Sequence, residues 1–321
     1  MNAIEREIWL GQRRTGISGT DVSAILGINP WASPLDVWLD KRGQAEPKVE
    51  TMAMKMGNLL EPVVATLYAE ETGATLVEPG FMRHPIREWQ IGTPDRIALA
   101  HGFDTSLPGW WDTLIEIKTA RSGNDWGEPG TDQIPRHYLT QVAWYLGLTE
   151  LPIAHLAVLI GASEYRRYVV HRDMDLEAVL LERCDEFWKT NILGGQMPQV
   201  DGSESASKYI ASRFPRNIEP LRVASTEELD LAHRLAKARA ATAAAEREQA
   251  EAENLLKSAI GEAEGLDLGP FGKITWKATK PRETTDWKAV AAEANIPAEV
   301  ITRHTKTSEA SRRFLPTFKE A

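Results

Sequence analysis

The chain has 321 residues, of which 42% are hydrophobic and 26% charged, a balance that argues against wholesale disorder. Its net charge of −9 argues against a general polyanion-binding surface, and its single cysteine, Cys184, excludes an internal disulfide or a multi-cysteine metal site. It contains no run of about 18 apolar residues and no basic-then-apolar leader, so we expect a soluble, cytoplasmic protein without a membrane partner.

The first part of the chain predicts three helices with clear start signals. The segment "SGTDVSAILG" has Ser18 as a candidate N-cap and Asp21 three residues later. The segment "SPLDVWLDKRG" repeats this arrangement, with Ser33 as the cap and a proline at the first helical position. In "MKMGNLLEPVVATLYAEETG" the apolar residues recur at helical spacing, and Pro62, which a helix tolerates in its first turn, predicts a start near Asn58.

After Gly73 the pattern changes to short strands. The segments "TLVEPGFMRHP" and "WQIGTPDRIALA" are predicted as the arms of a hairpin, and "DTLIEIKTA" as a third strand. The segment "IPRHYLTQVAWYLGL" returns to a helical period, "IAHLAVLIGASEYRRYVVHR" predicts two further strands, and "DLEAVLLERCDEFWKTNIL" predicts an amphipathic helix. Together these elements predict an α/β fold with a mixed central β-sheet flanked by helices.

A domain boundary is expected within residues 195–220, which are rich in Gly, Pro and Ser, so that the chain divides into 1–218 and 219–321. The first part carries 29 acids and 21 bases, whereas the second carries 17 acids and 16 bases. Because the first part is acidic overall, any contact that it makes with nucleic acid must come from local basic clusters.

The second part reads as a C-terminal appendage made of one long helix and a small β-element. Ser225 and Glu228 form a predicted capping box for an alanine-rich, highly charged helix at 226–264. A β-hairpin at 266–279 and a short helix from about Asp286 follow. The sequence indicates no role for this appendage.

Two charged residues interrupt the apolar third strand. The alternation of side chains along a strand places Glu116 and Lys118 on one face together with Leu114, while Ile115 and Ile117 point to the other face. Such a pair is either a salt bridge on a half-exposed strand or part of a metal-dependent active site.

A second acid favours the metal site. Asp95 in "GTPDRIA" lies on the preceding strand, so antiparallel pairing would bring its carboxylate close to that of Glu116. Two such anions about 4 Å apart repel by roughly 4 kcal/mol at an effective dielectric constant of about 20, which favours a divalent cation between them. Oxygen ligands with room for water suit Mg²⁺, with Mn²⁺ as a substitute, and Lys118 could orient or deprotonate an attacking water or stabilise charge on a phosphate.

The motif resembles the signature of the PD-(D/E)xK nuclease superfamily. It consists of a proline followed by Asp95 and, further along the chain, of Glu116 and Lys118 separated by one residue. Three further segments occur in order around this motif: "WLGQRRTGISGTDVSAILG" near the N-terminus, "MGNLLEP" on a helix, and "YLTQVAWY" after the core motif. About residues 5–200 thereby resemble the YqaJ-like viral recombinase family, whose best-known relative is the lambda-type exonuclease. The resemblance implies a restriction-endonuclease-like core.

The resemblance, carried over position by position, implies a metal site with a catalytic lysine. Asp95 and Glu116 would bind the metal together with the backbone carbonyl of Ile117, and Lys118 would be the catalytic lysine. Glu61 would supplement the metal site from its helix, although the residues alone also allow a solvated helix acid at that position.

The resemblance also implies substrate-binding residues. Arg13 and Thr20 would hold the phosphate on the 5′ side, where the family more often has serine at the second position. Gln141 would be a catalytic residue on the helix after the core, with Tyr138 and Tyr145 as substrate-binding residues on nearly the same face. From the residues alone, Thr20 could merely satisfy its own helix turn, Gln141 could be an exposed helix residue, and the adjacent arginine could take the place of Arg13.

The activity that this resemblance implies is Mg²⁺-dependent 5′→3′ resection of double-stranded DNA ends for phage-type recombination. The product would carry a 3′ single strand, which implies a single-strand annealing or recombinase protein as a partner, and the rings of lambda-type relatives make a homo-oligomer an option. Two alternatives stay open: a structure-specific or restriction-type endonuclease with the same site, and a DNA-binding recombination scaffold without turnover.

Overall fold

The computed structural model describes residues 3–45, 50–100, 111–280, 284–294 and 296–305. The chain divides into two compact units, Met1–Ile210 and Ala211–Ala321. The boundary that the sequence predicts, between 218 and 219, stays a prediction. Among the described residues, no helix is both long enough and apolar enough to cross a membrane.

Four helices open the first unit: α1 (Ala3–Arg14), α2 (Gly19–Ile25), α3 (Pro34–Lys41) and α4 (Met52–Thr72). The predicted caps of α2 and α3 are confirmed, because Ser18 and Ser33 each form a capping box with an aspartate three residues later. These boxes satisfy backbone N–H groups that lack intrahelical partners, so the local sequence determines both helix starts.

Helix α4 begins earlier than the sequence predicts. The Thr51 hydroxyl accepts a hydrogen bond from the Met54 N–H at 3.2 Å and thereby caps a helix whose first residue is Met52. The expected start near Asn58 is therefore wrong, and Pro62 lies in the helix interior. A proline removes one backbone hydrogen bond, and the buried residues that follow it, Val64, Ala65 and Tyr68, pack α4 into the smaller of two hydrophobic cores.

A five-stranded mixed sheet forms the centre of the first unit, in the order β1-β4-β5-β6-β7. Its strands are β1 (Leu76–Val77), β4 (Arg96–Leu99), β5 (Trp111–Ala120), β6 (Ile153–Ile160) and β7 (Glu164–His171). Strands β5 and β6 are parallel, whereas the other neighbours are antiparallel. The predicted α/β class with a mixed central sheet is confirmed.

The two segments predicted as hairpin arms pair in two short ladders. β1 pairs with β4, while the separate strands β2 (Met82–Arg83) and β3 (Ile91–Gly92) pair with each other. Between β1 and β2 the chain passes through Gly80, whose φ of 70° is incompatible with an extended strand. The single long hairpin is therefore divided at this turn.

Strand β5 separates two hydrophobic cores. Leu114 belongs to the larger core with side chains of α2, α3, α5 and α6, whereas Ile115 and Ile117 belong to a smaller core with side chains of α4. This confirms the predicted alternation, so Glu116 and Lys118 lie on the α5 side of the sheet.

The remaining elements of the first unit cover the sheet. Helix α5 (Arg136–Thr149) connects β5 to β6, and α6 (Met174–Phe187) follows β7 and continues into a π-helical turn, Trp188–Leu193. Trp144 of α5 donates its indole N–H to the Ile91 carbonyl at 3.0 Å, which fixes α5 against β3. The helix and strand assignments made from sequence in this part are confirmed. Helix α7 spans Glu204–Arg213.

The second unit contains the long helix α8 (Thr226–Ile260), whose predicted capping box of Ser225 and Glu228 is present. The helix ends at Ile260 instead of continuing to residue 264, because Gly261 follows with a positive φ of 55°. After it come β8 (Gly265–Asp267), β9 (Lys273–Thr275), α9 (Trp287–Glu293) and α10 (Ala298–His304), with β8 and β9 forming the predicted hairpin.

Candidate functional site

Glu116 lies on β5 with 1% of its surface exposed, so its pair with Lys118 is not a surface salt bridge. Glu116 Oε1 accepts hydrogen bonds from Lys118 Nζ at 2.5 Å and from Gln141 Nε2 at 2.5 Å. Gln141 is itself buried, which excludes the interpretation as an exposed helix residue. Strand β5 and helix α5 thus bring three of the predicted site residues into direct contact.

The second carboxylate oxygen of Glu116, Oε2, is buried and has no hydrogen-bond partner among the described residues. Burial raises the pKa of Glu116, and the neighbouring Asp95 carboxylate raises it further, whereas the Lys118 ammonium group lowers it. A buried carboxylate oxygen without a partner is costly in free energy, and a bound cation would remove that cost.

Asp95 immediately precedes β4 and contacts β5. Its Oδ2 accepts a hydrogen bond from the Ile117 N–H at 2.8 Å. Ile117 directly follows Glu116, so the Asp95 carboxylate lies one residue away from Glu116 along β5. The antiparallel register of β4 and β5, in which Arg96 is opposite Ile115, produces this approach. The antiparallel pairing expected between these two strands is confirmed.

Glu61 on α4 is held by an arginine. Its Oε1 accepts a hydrogen bond from Arg96 Nη1 at 2.9 Å, and Arg96 Nη2 also pairs with Glu78 at 3.2 Å. Burial and the nearby Asp95 carboxylate raise the pKa of Glu61, against the effect of Arg96. Within the described residues, no three His, Cys, Asp or Glu side chains form a group that could hold a metal ion. A metal role for Glu61 therefore stays a prediction.

The donors that are close together fit a hard divalent cation. Asp95 and Glu116 offer carboxylate oxygens and Ile117 offers a backbone carbonyl, which are the ligand types that Mg²⁺ uses. Mg²⁺ keeps several waters and is usually bound through one or two carboxylates, so a third acidic side chain is not required. The buried Oε2 of Glu116 is the atom that such a cation would satisfy.

Lys118 is a cation in this environment. Burial disfavours its protonated form, but the carboxylates of Glu116 and Asp95 outweigh this effect and raise the pKa of Lys118. Its Nζ also lies 5.3 Å from the centre of the Tyr138 ring. A protonated lysine donates hydrogen bonds and stabilises negative charge, and the catalytic role of Lys118 stays a prediction.

The two tyrosines of α5 occupy different environments. Tyr138 is half-buried and stacks on Trp126 with 5.7 Å between ring centres. Tyr145 is buried against Gly19 and Gly92, where an added Cβ would lie 2.8 Å and 2.7 Å from its Cε1 atom. Tyr145 thus packs α5 against α2 and β3, and the predicted substrate-binding roles of both tyrosines stay predictions.

Arg13 and Thr20 meet at the junction of α1 and α2. Arg13 Nη2 donates a hydrogen bond to Thr20 Oγ1 at 3.3 Å and to Asp21 Oδ1 at 3.1 Å. The adjacent Arg14 turns toward Gly43 at the end of α3, so the structure distinguishes two arginines that the sequence could not separate. Thr20 is exposed and the Arg13 side chain is 23% exposed, so a ligand can reach both.

Gly19 links this pair to the carboxylate site. A Cβ on Gly19 would lie 3.0 Å from Cγ of Gln141, and Gln141 donates to Glu116. The clusters around Arg13 and around Glu116 are therefore joined through one close contact between α2 and α5.

Two residues behind Arg13 were not singled out from the sequence as site residues. Lys41 Nζ donates to Asp21 Oδ2 at 2.6 Å and to the Arg13 carbonyl oxygen at 2.8 Å, and its side chain is fully buried. Asp21 was expected only as part of a helix cap. The available signal for Lys41 was its position three residues after Trp38, which places it on the apolar face of α3.

Residues 8–152 match the family model of the YqaJ-like viral recombinase domain. This segment is therefore similar to the YqaJ-like viral recombinase domain. The resemblance inferred from the motifs is thereby confirmed. The YqaJ-like domain includes every residue for which a site role is predicted, from Arg13 to Tyr145.

Two relatives of known sequence resemble the YqaJ-like domain and its surroundings. The protein YqaJ of Bacillus subtilis (strain 168) is 33% identical over 217 residues, which cover 66% of this chain and 64% of that protein. A protein of Acanthamoeba polyphaga mimivirus is 28% identical over 145 residues, which cover 44% of this chain and 26% of that protein. The matched region thus spans less than two thirds of either relative.

Solved structures with a similar chain path include two exonucleases. The alkaline exonuclease LHK-Exo from Laribacter hongkongensis is 19% identical, with a TM-score of 0.45 over 64% of this chain and 98% of that one. A phage-related exonuclease from Haemophilus somnus is 14% identical, with a TM-score of 0.42 over 56% of this chain and 96% of that one. Similarity at this level supports no assignment of function.

Proposed function

We propose that the chain is a metal-dependent deoxyribonuclease that degrades double-stranded DNA from its ends. The observation that carries this proposal is the buried Glu116 carboxylate, whose Oε1 is held by Lys118 and Gln141 while Oε2 has no partner among the described residues. An acid placed in this way beside Asp95 is poorly explained as a packing residue, because Lys118 and Gln141 satisfy Oε1 and leave the buried Oε2 without a partner among the described residues. The viral recombinase domain is consistent with a DNA substrate.

The proposed cofactor is Mg²⁺, with Mn²⁺ able to substitute. Asp95, Glu116 and the Ile117 carbonyl would hold the ion, which would supply positive charge at the scissile phosphate and acidify a water molecule. Lys118 orients this water and stabilises the charge that develops on the phosphate oxygens. Gln141 keeps Glu116 Oε1 in place, so that Oε2 stays available.

The proposed direction is 5′→3′, because the family resemblance assigns Arg13 and Thr20 to the phosphate on the 5′ side. The Arg13 guanidinium group and the Thr20 hydroxyl form an exposed donor pair suited to a phosphate oxygen, joined to the carboxylate site through Gly19. An enzyme that holds a 5′ phosphate there would release nucleotides from that end and leave a 3′ single strand. A single-strand annealing or recombinase protein is the partner that would use this product.

The test uses linear and circular double-stranded DNA with the full chain, in Mg²⁺ and in EDTA. We expect release of mononucleotides from a 5′-labelled linear end in Mg²⁺, late release of a 3′ label, and intact covalently closed circles. Substitution of Lys118 by Met should abolish release, whereas Lys189→Met, at an exposed site on the π-helical turn, should leave it unchanged.

Each other outcome assigns a different function. Cut circles in Mg²⁺ would support an endonuclease that uses the same site. Bound but intact DNA, with the wild type as inactive as the Lys118→Met variant, would support a scaffold without turnover. The mass of the protein in solution, measured by light scattering, tests the proposed homo-oligomer separately.

A further inference from the structure

The cluster behind Arg13 has two layers. Arg13 and Thr20 form an outer layer that solvent reaches, whereas Ser18, Asp21 and Lys41 form an inner layer that is buried. Three contacts join the layers: Arg13 Nη2 donates to Asp21, Lys41 Nζ donates to the Arg13 carbonyl oxygen, and the Ser18 and Thr20 hydroxyls share a hydrogen bond. The outer layer is the part that the proposed function assigns to a DNA phosphate.

Asp21 is saturated by donors. Its Oδ1 accepts from Arg13 Nη2 at 3.1 Å. Its Oδ2 accepts from Lys41 Nζ at 2.6 Å, from the Ser18 N–H at 2.8 Å and from the Ser18 hydroxyl at 2.8 Å. An aspartate with this many donors cannot change rotamer without losing several charge-assisted hydrogen bonds, so it is a rigid support for the guanidinium group.

Lys41 fixes Arg13 at two points. It binds the Arg13 carbonyl oxygen at 2.8 Å, which holds the backbone at the last turn of α1, and it binds Asp21, which holds the side chain. A fully buried ammonium group is costly unless it is paired, and Asp21 is the acid that pairs with it. The arrangement therefore depends on both partners.

The charges of the cluster do not cancel. Arg13 and Lys41 contribute two positive charges against the single negative charge of Asp21, which leaves an excess of one positive charge. Because Lys41 and Asp21 are buried, this excess is available to a ligand at the Arg13 guanidinium group, beside the Thr20 hydroxyl. A phosphate monoester at a DNA end carries the complementary charge.

We propose that Asp21 and Lys41 are positioning residues that hold Arg13 ready for a terminal 5′ phosphate, and that they thereby determine whether the protein distinguishes a 5′-phosphorylated end from a 5′-hydroxyl end. This inference rests on the proposed function. It adds that end recognition comes from a buried Lys–Asp pair acting through Arg13, and not from the arginine alone.

The experiment compares kcat/KM on linear duplexes that carry 5′-phosphate or 5′-hydroxyl ends. Wild-type protein is expected to prefer the phosphate. Lys41→Met should reduce this preference about tenfold or more, since a hydrogen bond to a charged group typically contributes that much, while the rate on 5′-hydroxyl ends changes little. Lys189→Met is the control for loss of an exposed lysine.

A double-mutant cycle shows whether Lys41 acts through Arg13. In an Arg13→Gln background, Lys41→Met should cause no further loss of phosphate preference. Lys41→Gln removes the same charge and keeps a polar group, so it serves as the second variant if Lys41→Met does not fold. It should cause the same loss in the wild-type background and no effect in the Arg13→Gln background.

Two results would overturn the inference while leaving the nuclease proposal intact. One is equal loss on both kinds of end, which is what a purely structural role would give. The other is a wild-type protein that degrades DNA without distinguishing the ends. A wild type that degrades neither duplex in Mg²⁺ would contradict the proposed function itself.

Discussion

At the scale of single residues, Asp21 predicts how stability depends on pH. Burial opposes its charged form, but Lys41 and Arg13 outweigh burial and lower its pKa from 3.8 to about 2. Because the folded pKa is the lower one, the stabilisation is complete above pH 3.8 and is lost as the pH falls toward 2. We expect roughly 2 kcal/mol of unfolding free energy to depend on this group.

The measurement is urea unfolding between pH 5 and pH 2 for the wild type and for Asp21→Asn. The variant should lose less stability over this interval, because it lacks the titrating carboxylate. Parallel slopes for the two proteins would contradict the assignment of the low pKa to Asp21.

Glu116 yields a prediction about metal binding. Glu116→Gln keeps an oxygen acceptor for Lys118 and Gln141 but replaces a ligand oxygen, so Mn²⁺ affinity measured by calorimetry should fall sharply. Nuclease activity should fall by about 10³-fold or more, because stabilisation of the transition state by a metal ion amounts to several kcal/mol. Glu164→Gln, at an exposed residue that pairs with Arg166, is the matched control and should change neither quantity. Unchanged Mn²⁺ binding in Glu116→Gln would rule out this site.

Residue patterns predicted part of the site. The approach of Asp95 to Glu116 follows from strand order and alternation, which are local properties of the sequence. The choice of Arg13 over Arg14 depends on how α1, α2 and α3 pack, and no periodicity encodes that packing. Helical spacing from Trp38 placed Lys41 on the apolar face of α3, but its residue type argued against burial. A lysine near the end of an amphipathic helix usually remains solvated, so its burial could not be anticipated from residue type.

At the scale of elements, the contact between α2 and α5 gives a paired prediction. Gly19→Ala would place a Cβ 2.8 Å from the Tyr145 ring and should destabilise the protein by about 1–3 kcal/mol through overpacking. Gly11→Ala, in the interior of α1 with no atom within 4 Å of the new Cβ, should instead stabilise it by about 0.5–1 kcal/mol. Chemical denaturation measures both changes, and destabilisation by Gly11→Ala or stabilisation by Gly19→Ala would refute this description of the packing.

Helix boundaries were predictable where a cap is encoded locally. Ser18, Ser33 and Ser225 each precede an acid at the third helical position, and each begins a helix. The start of α4 was misplaced because it was predicted from Pro62 alone, and Thr51 was not considered as a cap. The intrinsic penalty of proline is a local property, whereas the burial that offsets it belongs to the folded chain.

At the scale of the whole molecule, the connection between α7 and α8 is the predicted site of first cleavage. Residues 214–225 are exposed and contain no helix or strand. Among the residues that the structure describes, limited trypsin digestion should cut first at Arg216 or Arg222, because a protease needs an extended and accessible backbone. A variant with both arginines changed to Gln should be cut more slowly, and a first cut inside β5, β6 or α8 would contradict this division of the chain.

The close contact at Gly19 has a consequence for the size of the product. In the proposed function, Arg13 and Thr20 bind the terminal phosphate, while Asp95 and Glu116 act on a phosphate further along the strand. The packing of α2 against α5 would then determine the distance between these two positions. Release of one nucleotide at a time would then depend on how two helices pack and not on the identity of the base. A Cβ at Gly19 would meet the side chains of Tyr145 and Gln141, so Gly19→Ala tests whether this contact keeps the two clusters at a fixed separation.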